Sequence, residues 1–147
     1  MADRTESSIV VDAAPADVLD VIADFDAYPD WTGAVRQAEV LDEDEDGWAG
    51  QVRFVLDAGA LRDTYTLAYT WDIAEDGTGT VAWTLVEAGI LKAMDGSYRL
   101  RSATEGTEVT YTLSVEVKMP MLGMLRRKAE KTIIDTALKE LKKRAEG

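Results

Sequence analysis

Between Val35 and Val117 apolar side chains recur at every second position in six successive segments, with turn residues between them. The segments are Val35–Leu41, Trp48–Leu56, Leu61–Ile73, Thr80–Glu87, Met94–Ser102 and Glu108–Val117. Asp42–Gly47, Ala58-Gly59, Asp76–Gly79, the Gly89 region and Glu105-Gly106 separate them. Strands joined by connections this short pair as antiparallel neighbours, because a parallel pair needs a long crossover. The period then changes. After Pro120, residues Leu122, Leu125, Ala129, Ile133, Thr136 or Ala137, and Leu141 fall at helical spacing, and Ile134 and Leu138 widen the stripe. About 24 residues of helix, roughly 36 Å long, must bury that stripe. The only surface large enough is the sheet.

The N-terminal part completes the order. Ile9-Val10-Val11, within Ser8–Asp12, suits a further strand. Pro15 at a first helical position and Asp17 in the first turn open a short helix. Val18, Val21, Ile22 and Phe25 share one of its faces, and Asp26–Trp31 turns into a second, very short helix. The chain has 147 residues, enough for one core. Residues 1–147 are therefore expected to form a single α+β domain of order β-α-α-β6-α. Its seven-stranded curved antiparallel sheet would wrap around the long C-terminal helix. Strand twist bends such a sheet into a grip, and the part of the concave face that the helix leaves uncovered can be a pocket.

Alternation picks out the inward side chains. In Leu61–Ile73 one face carries Asp63, Tyr65, Leu67, Tyr69 and Trp71. Val81, Trp83 and Leu85 share a face of the next strand, with Glu87 at its end, and Val52, Phe54 and Leu56 share one on an earlier strand. Tyr98 and Leu100, then Val109, Tyr111, Leu113, Val115 and Val117, follow. The predicted cavity lining is Phe54, Tyr65, Tyr69, Trp71, Trp83, Leu85 and Tyr98. Trp31 and Met94 close one end, and Met121 and Leu125 form the helical wall. Tyr and Trp each bring a large apolar body and one hydrogen-bonding group, which suits a ligand cavity. The same stripe also suits an ordinary core.

Composition narrows the chemistry. The chain has no cysteine and no histidine, which removes thiolate metal sites, disulfides, Cys nucleophiles and the Ser-His-Asp triad. No metal site and no cofactor are expected. The net charge is −12, yet residues 120–147 carry eight Lys/Arg against four Asp/Glu. An acidic body repels nucleic acid, so no nucleic-acid partner is expected. The basic C-terminal helix suits a transient contact with an anionic membrane or a carrier protein, or is simply a solvated face. Arg126, Arg127 and Lys128 stand beside Met119, Met121 and Met124, a mouth that would suit an anionic, flexible apolar guest. The opening residues MADRTESS have no apolar stretch after Arg4, and no segment approaches the roughly 20 apolar residues of a membrane span. The expectation is a cytoplasmic protein, monomeric or weakly dimeric.

Two segments carry a family resemblance. Val11-Asp-Ala-Ala-Pro-Ala-Asp-Val18 leading to Phe25-Asp-Ala-Tyr-Pro-Asp-Trp31 resembles the first helix and following turn of the START-like superfamily, also termed SRPBCC or Bet v 1-like. Pro120-Met-Leu-Gly-Met-Leu-Arg-Arg-Lys-Ala-Glu130 is similar to the start of its C-terminal helix. The likeness spans nearly the whole chain and points to the polyketide cyclase/dehydrase branch or the quinone- and lipid-binding branch. It implies a helix-grip fold and a hydrophobic small-molecule ligand. It brings no shared catalytic motif, and fold alone does not fix function.

Three functions follow as expectations. The first is binding or carriage of a lipid, acyl chain, quinone or polyketide in the internal cavity, without catalysis. The second is an aromatic polyketide cyclase or dehydratase, which must hold a poly-β-ketone in one shape and move protons with Tyr and carboxylate groups. Its candidates are Asp63, Tyr65, Tyr69, Glu87, Asp95 and Tyr98; Arg53 alternates with Val52 and Phe54 and should face outward. The third is a module that acts through its surface. An inward carboxylate hydrogen-bonded to Tyr or Arg deep inside would favour the enzyme, and a fully packed interior the surface module. Loops at Ala58–Arg62 and Ala88–Lys92 either gate the cavity or are ordinary glycine turns.

Overall fold

The computed structural model describes residues 4–57, 62–118 and 123–147, with every side chain among them except those of Gly123 and Leu125. Seven strands among these residues form one antiparallel sheet. They are β1 (Thr5–Val11), β2 (Val35–Glu43), β3 (Ala49–Asp57), β4 (Arg62–Ile73), β5 (Gly79–Ala88), β6 (Leu91–Ala103) and β7 (Gly106–Val117). The order is β1-β7-β6-β5-β4-β3-β2. The last six strands are thus a meander, as their short connections require, and β1 closes onto β7. β1 starts at Thr5 rather than Ser8, because its pairing with β7 runs from Thr5↔Leu113 to Val11↔Thr107.

Between β1 and β2 lie α1 (Pro15–Ala23), a 3₁₀ turn (Phe25–Ala27) and α2 (Tyr28–Trp31). Pro15 opens α1, where its missing N–H costs nothing, and Asp17 sits favourably in the first turn. Val18, Leu19 and Ile22 are buried, so Leu19 joins the expected apolar face while Val21 is half-buried. The Tyr28 hydroxyl donates to the Ile22 carbonyl at 2.5 Å, tying α2 back to α1.

The C-terminal helix α3 (Gly123–Glu146) carries two stripes, one buried and one only partly so. Glu130, Ile134, Leu138 and Leu141 are buried, on the helix that packs against β1 and β7. Ala129, Ile133, Thr136, Ala137 and Glu140 lie about a quarter-turn away at 100° per residue. Among the described residues no helix is long and apolar enough to cross a membrane.

Register slips between β2 and β3, β4 and β5, and β6 and β7 mark bulges, which bend and twist the strands that carry them. The sheet thereby curves around α3, and the core lies on its concave side.

Candidate functional site

Between the concave face and the second stripe of α3 lies a cavity of about 610 Å³. The sheet side is built from large side chains: Phe54 and Leu56 of β3, Tyr65, Leu67 and Tyr69 of β4, Trp83 of β5, Met94 and Tyr98 of β6, and Tyr111 of β7. The helix side is built from small ones, Ala129, Thr132, Thr136 and Ala137, with Ile133 among them. That asymmetry is the physical reason for the space. Where α3 meets the sheet directly it uses Ile and Leu, and where Ala and Thr replace them the rings opposite have no partner to close on.

The rings support one another. Phe54 stacks on Tyr65 with centroids 5.5 Å apart, Tyr69 lies 5.7 Å from Trp83, and Trp83 lies 5.5 Å from Tyr98 and 5.6 Å from Tyr111. Such pairs add to area burial and fix the ring orientations. Trp83 pairs across the sheet with Gly96, and a Cβ at Gly96 would come within 2.5 Å of the indole. Only glycine lets the indole lie over the backbone there.

The ring side of the wall carries neutral phenols. Burial raises the pKa of all five tyrosines above the ordinary phenol range, and neighbouring tyrosines add to this at Tyr28, Tyr65, Tyr69 and Tyr98. They are hydroxyl donors, not phenolate bases. Among the described residues the hydroxyls of Tyr65, Tyr69, Tyr98 and Tyr111 have no protein hydrogen-bond partner.

The expected lining residues fall into three groups. Trp31, Phe54, Tyr65, Tyr69, Trp83, Met94 and Tyr98 stand at the cavity wall. Met121 and the side chain of Leu125 lie outside the described residues, as does most of the Ala58–Arg62 loop. Trp71 and Leu85 do not reach the wall. The Trp71 indole stacks on Trp48 at 4.7 Å and donates its Nε1–H to the Ala49 carbonyl at 2.8 Å, which draws it toward β3. Leu85 pairs with Leu67 and packs half-buried against the core.

The acidic candidates lie elsewhere. Asp63 accepts the backbone N–H groups of Gly89 at 3.1 Å, Ile90 at 2.8 Å and Leu91 at 2.9 Å, so it fastens the β5–β6 turn and does not face the cavity. Glu87 is exposed. The β4–β5 register passes from Thr66↔Glu87 to Leu67↔Leu85, which leaves Val86 unpaired and turns Glu87 to the outer side. Asp95 is exposed and accepts from the Thr84 hydroxyl at 2.8 Å. Arg53 faces outward, as its alternation requires, and pairs with Glu39 at 2.9 Å.

Polar groups of the cavity come from elsewhere in the chain. Asp57, at its edge, pairs with Arg36 at 3.5 Å and Arg62 at 3.1 Å. Lys128 and Glu140 of α3 line it, and so do Thr32 and Gly33 just after α2. One Glu140 oxygen accepts the Gly33 N–H at 3.0 Å. The other is buried without a partner, as is the Trp31 indole nitrogen. Sequence reasoning missed Glu140. Its signal is an acid at helical spacing from Ala129, Ile133, Thr136 and Ala137, inside an apolar stripe. Glu130 was missed too, but it is structural, accepting from Val115 N–H at 2.6 Å and from the Thr5 hydroxyl at 2.7 Å.

A family model described as polyketide cyclase/dehydrase and lipid transport matches residues 11–142. Solved structures share the fold. A START superfamily protein from Mycobacterium smegmatis is 21% identical with a TM-score of 0.88, covering 97% of each chain. The Zhui aromatase/cyclase from Streptomyces sp. R1128 is 20% identical with a TM-score of 0.79, covering 99% of this chain and 94% of its own. A STAR-related lipid transfer protein from Xanthomonas axonopodis is 19% identical with a TM-score of 0.75, covering 98% of this chain and 86% of its own.

Proposed function

The chain belongs to the polyketide cyclase/dehydrase and lipid-transport family, and from that premise we propose that it binds or carries a hydrophobic small molecule in the cavity beneath α3. The observation that carries this reading is the cavity itself: about 610 Å³ of space between aromatic rings and a helix face on which Ala129, Thr132, Thr136 and Ala137 leave room beside Ile133. That volume is within the range of small-molecule sites, which are apolar with a few placed polar groups. Trp31, Tyr65, Tyr69, Trp83 and Tyr98 are the proposed contacts. A lipid, an acyl chain, an isoprenoid quinone or a polyketide fits this lining. Lys128, at the cavity and at the basic start of α3, is the proposed point of contact with an anionic membrane or carrier during loading.

A cyclase is the second reading. It is favoured by the unpartnered tyrosine hydroxyls, which can polarise carbonyls of a folded poly-β-ketone. Against it, the raised tyrosines do not serve as bases at neutral pH, and Asp63, Glu87 and Asp95 do not line the cavity. Among the described residues, no cavity carboxylate is hydrogen-bonded to a tyrosine.

Native mass spectrometry of protein purified from its own host tests the binding reading. The expected result is a retained species of defined mass that leaves on denaturation. Thr136→Trp, which fills the space opposite the rings, should lower its occupancy at least about fivefold while the protein stays folded. Absence of any retained species, together with failure to bind a neutral apolar fluorophore, would remove the binding reading.

A further inference from the structure

Two buried polar atoms of the cavity have no partner: the Trp31 Nε1–H, a donor, and Glu140 Oε1, an acceptor. Buried polar atoms are nearly always satisfied, so two in one cavity call for a cause. They are neighbours in the fold. The second Glu140 oxygen accepts the Gly33 N–H at 3.0 Å, and Gly33 follows Trp31 by one intervening residue. This bond joins the glutamate of α3 to the segment leaving α2, and its other oxygen is buried. The Glu140 charge also bears on Tyr98, adding to the rise in that phenol's pKa caused by burial and by the other tyrosines. Lys128, the lining cation, sits twelve residues earlier on the same helix, about 18 Å away along its axis. The Glu140 end therefore has an unpaired acceptor, an indole donor and a neutral phenol, with the lining lysine far off.

We infer that the Trp31–Glu140 end of the cavity is a polar subsite that selects guests bearing a hydroxyl, phenolic, enolic or alcoholic, over guests that present only an acceptor or a carboxylate there. A hydroxyl donates to Glu140 Oε1 and offers its own oxygen to Trp31 Nε1–H. An ether leaves the glutamate oxygen unmet, and a carboxylate meets it with like charge. Site groups left unpaired in this way are what give large discrimination between near-isosteric ligands. This rests on the cavity being a ligand site, and it specifies what the site reads.

The test uses three rigid probes of one shape at neutral pH: 2-naphthol, 2-methoxynaphthalene and 2-naphthoate, with Kd measured by calorimetry or displacement of a neutral apolar fluorophore. The expected order is naphthol about tenfold tighter than the ether, and naphthoate weakest. Glu140→Gln keeps an oxygen for Gly33 N–H and turns an NH₂ group toward the cavity. It should erase the naphthol preference, strengthen naphthoate and leave the ether within about twofold. Trp31→Phe should weaken naphthol more than it weakens the ether. Equal binding of naphthol and ether to the parent protein, or a preference that survives Glu140→Gln, overturns the subsite while leaving the cavity reading intact. Exclusion of all three probes and of the fluorophore overturns both.

Discussion

Asp63 offers its carboxylate to three consecutive backbone amides across the sheet, those of Gly89, Ile90 and Leu91, and also takes the N–H of Thr64 at 2.9 Å. The geometry resembles a helix N-cap: one acidic side chain satisfies amides that the chain reversal leaves unpaired. Gly89 makes the approach possible, since a Cβ there would lie 2.8 Å from Asp63 Oδ1. The turn is thus anchored and does not act as a free gate. Asp63→Ala should lower stability by about 1–2 kcal/mol. It should also abolish hydrogen-exchange protection at the Gly89, Ile90 and Leu91 amides, and leave probe binding in the cavity nearly unchanged. Unaltered protection at those amides would show that the carboxylate is not their partner in solution. A purely catalytic Asp63 would show the opposite pattern, lost activity with stability kept.

At the scale of elements, strand periodicity was legible because burial of one face forces it. Tyr65, Leu67 and Tyr69 of β4, and Phe54 and Leu56 of β3, stand where period two puts them. What broke the period was not legible. The unpaired Val86 turns Glu87 outward, and no turn residue announces it. The helix was legible as one apolar stripe, whereas α3 has two, and only packing decides which faces the sheet and which faces space. Glu140 and Glu130 are easily passed over for a related reason: on a lysine-rich helix an acid reads as surface charge, and only its place within the apolar stripe signals otherwise. Glu130 is fully buried. It takes the Val115 N–H two residues past Leu113, the last residue of β7 that pairs with β1 among the described residues. Glu130→Ala would strand that amide and the Thr5 hydroxyl. Thermal unfolding should show a loss of about 3 kcal/mol, a Tm about 6–12 °C lower. Glu130→Gln, which can still accept from Val115, should recover part of it. A change within about 0.5 kcal/mol would mean the site is wet and the bond is worth little.

For the molecule as a whole, the chemistry turns on whether water is kept from the rings of the cavity, and the tyrosines are the groups that can report it. All five have pKa values raised, with burial the first cause in each case. The native state therefore holds these protons more tightly than the unfolded chain, whose tyrosines titrate near 10. Stability from this source is fully present below about pH 10 and is lost as pH rises beyond it, because the unfolded state then binds fewer protons than the native one. Absorbance at 295 nm, followed with far-ultraviolet circular dichroism from pH 8 to 12, separates the outcomes. Phenolate absorbance should stay flat through pH 10 and then appear together with loss of the fold, in one cooperative step. Tyrosines that ionise near pH 10 in a chain still folded would mean that water reaches the rings. A wet cavity would screen Glu140 and satisfy Trp31, and an apolar guest would gain little by entering it.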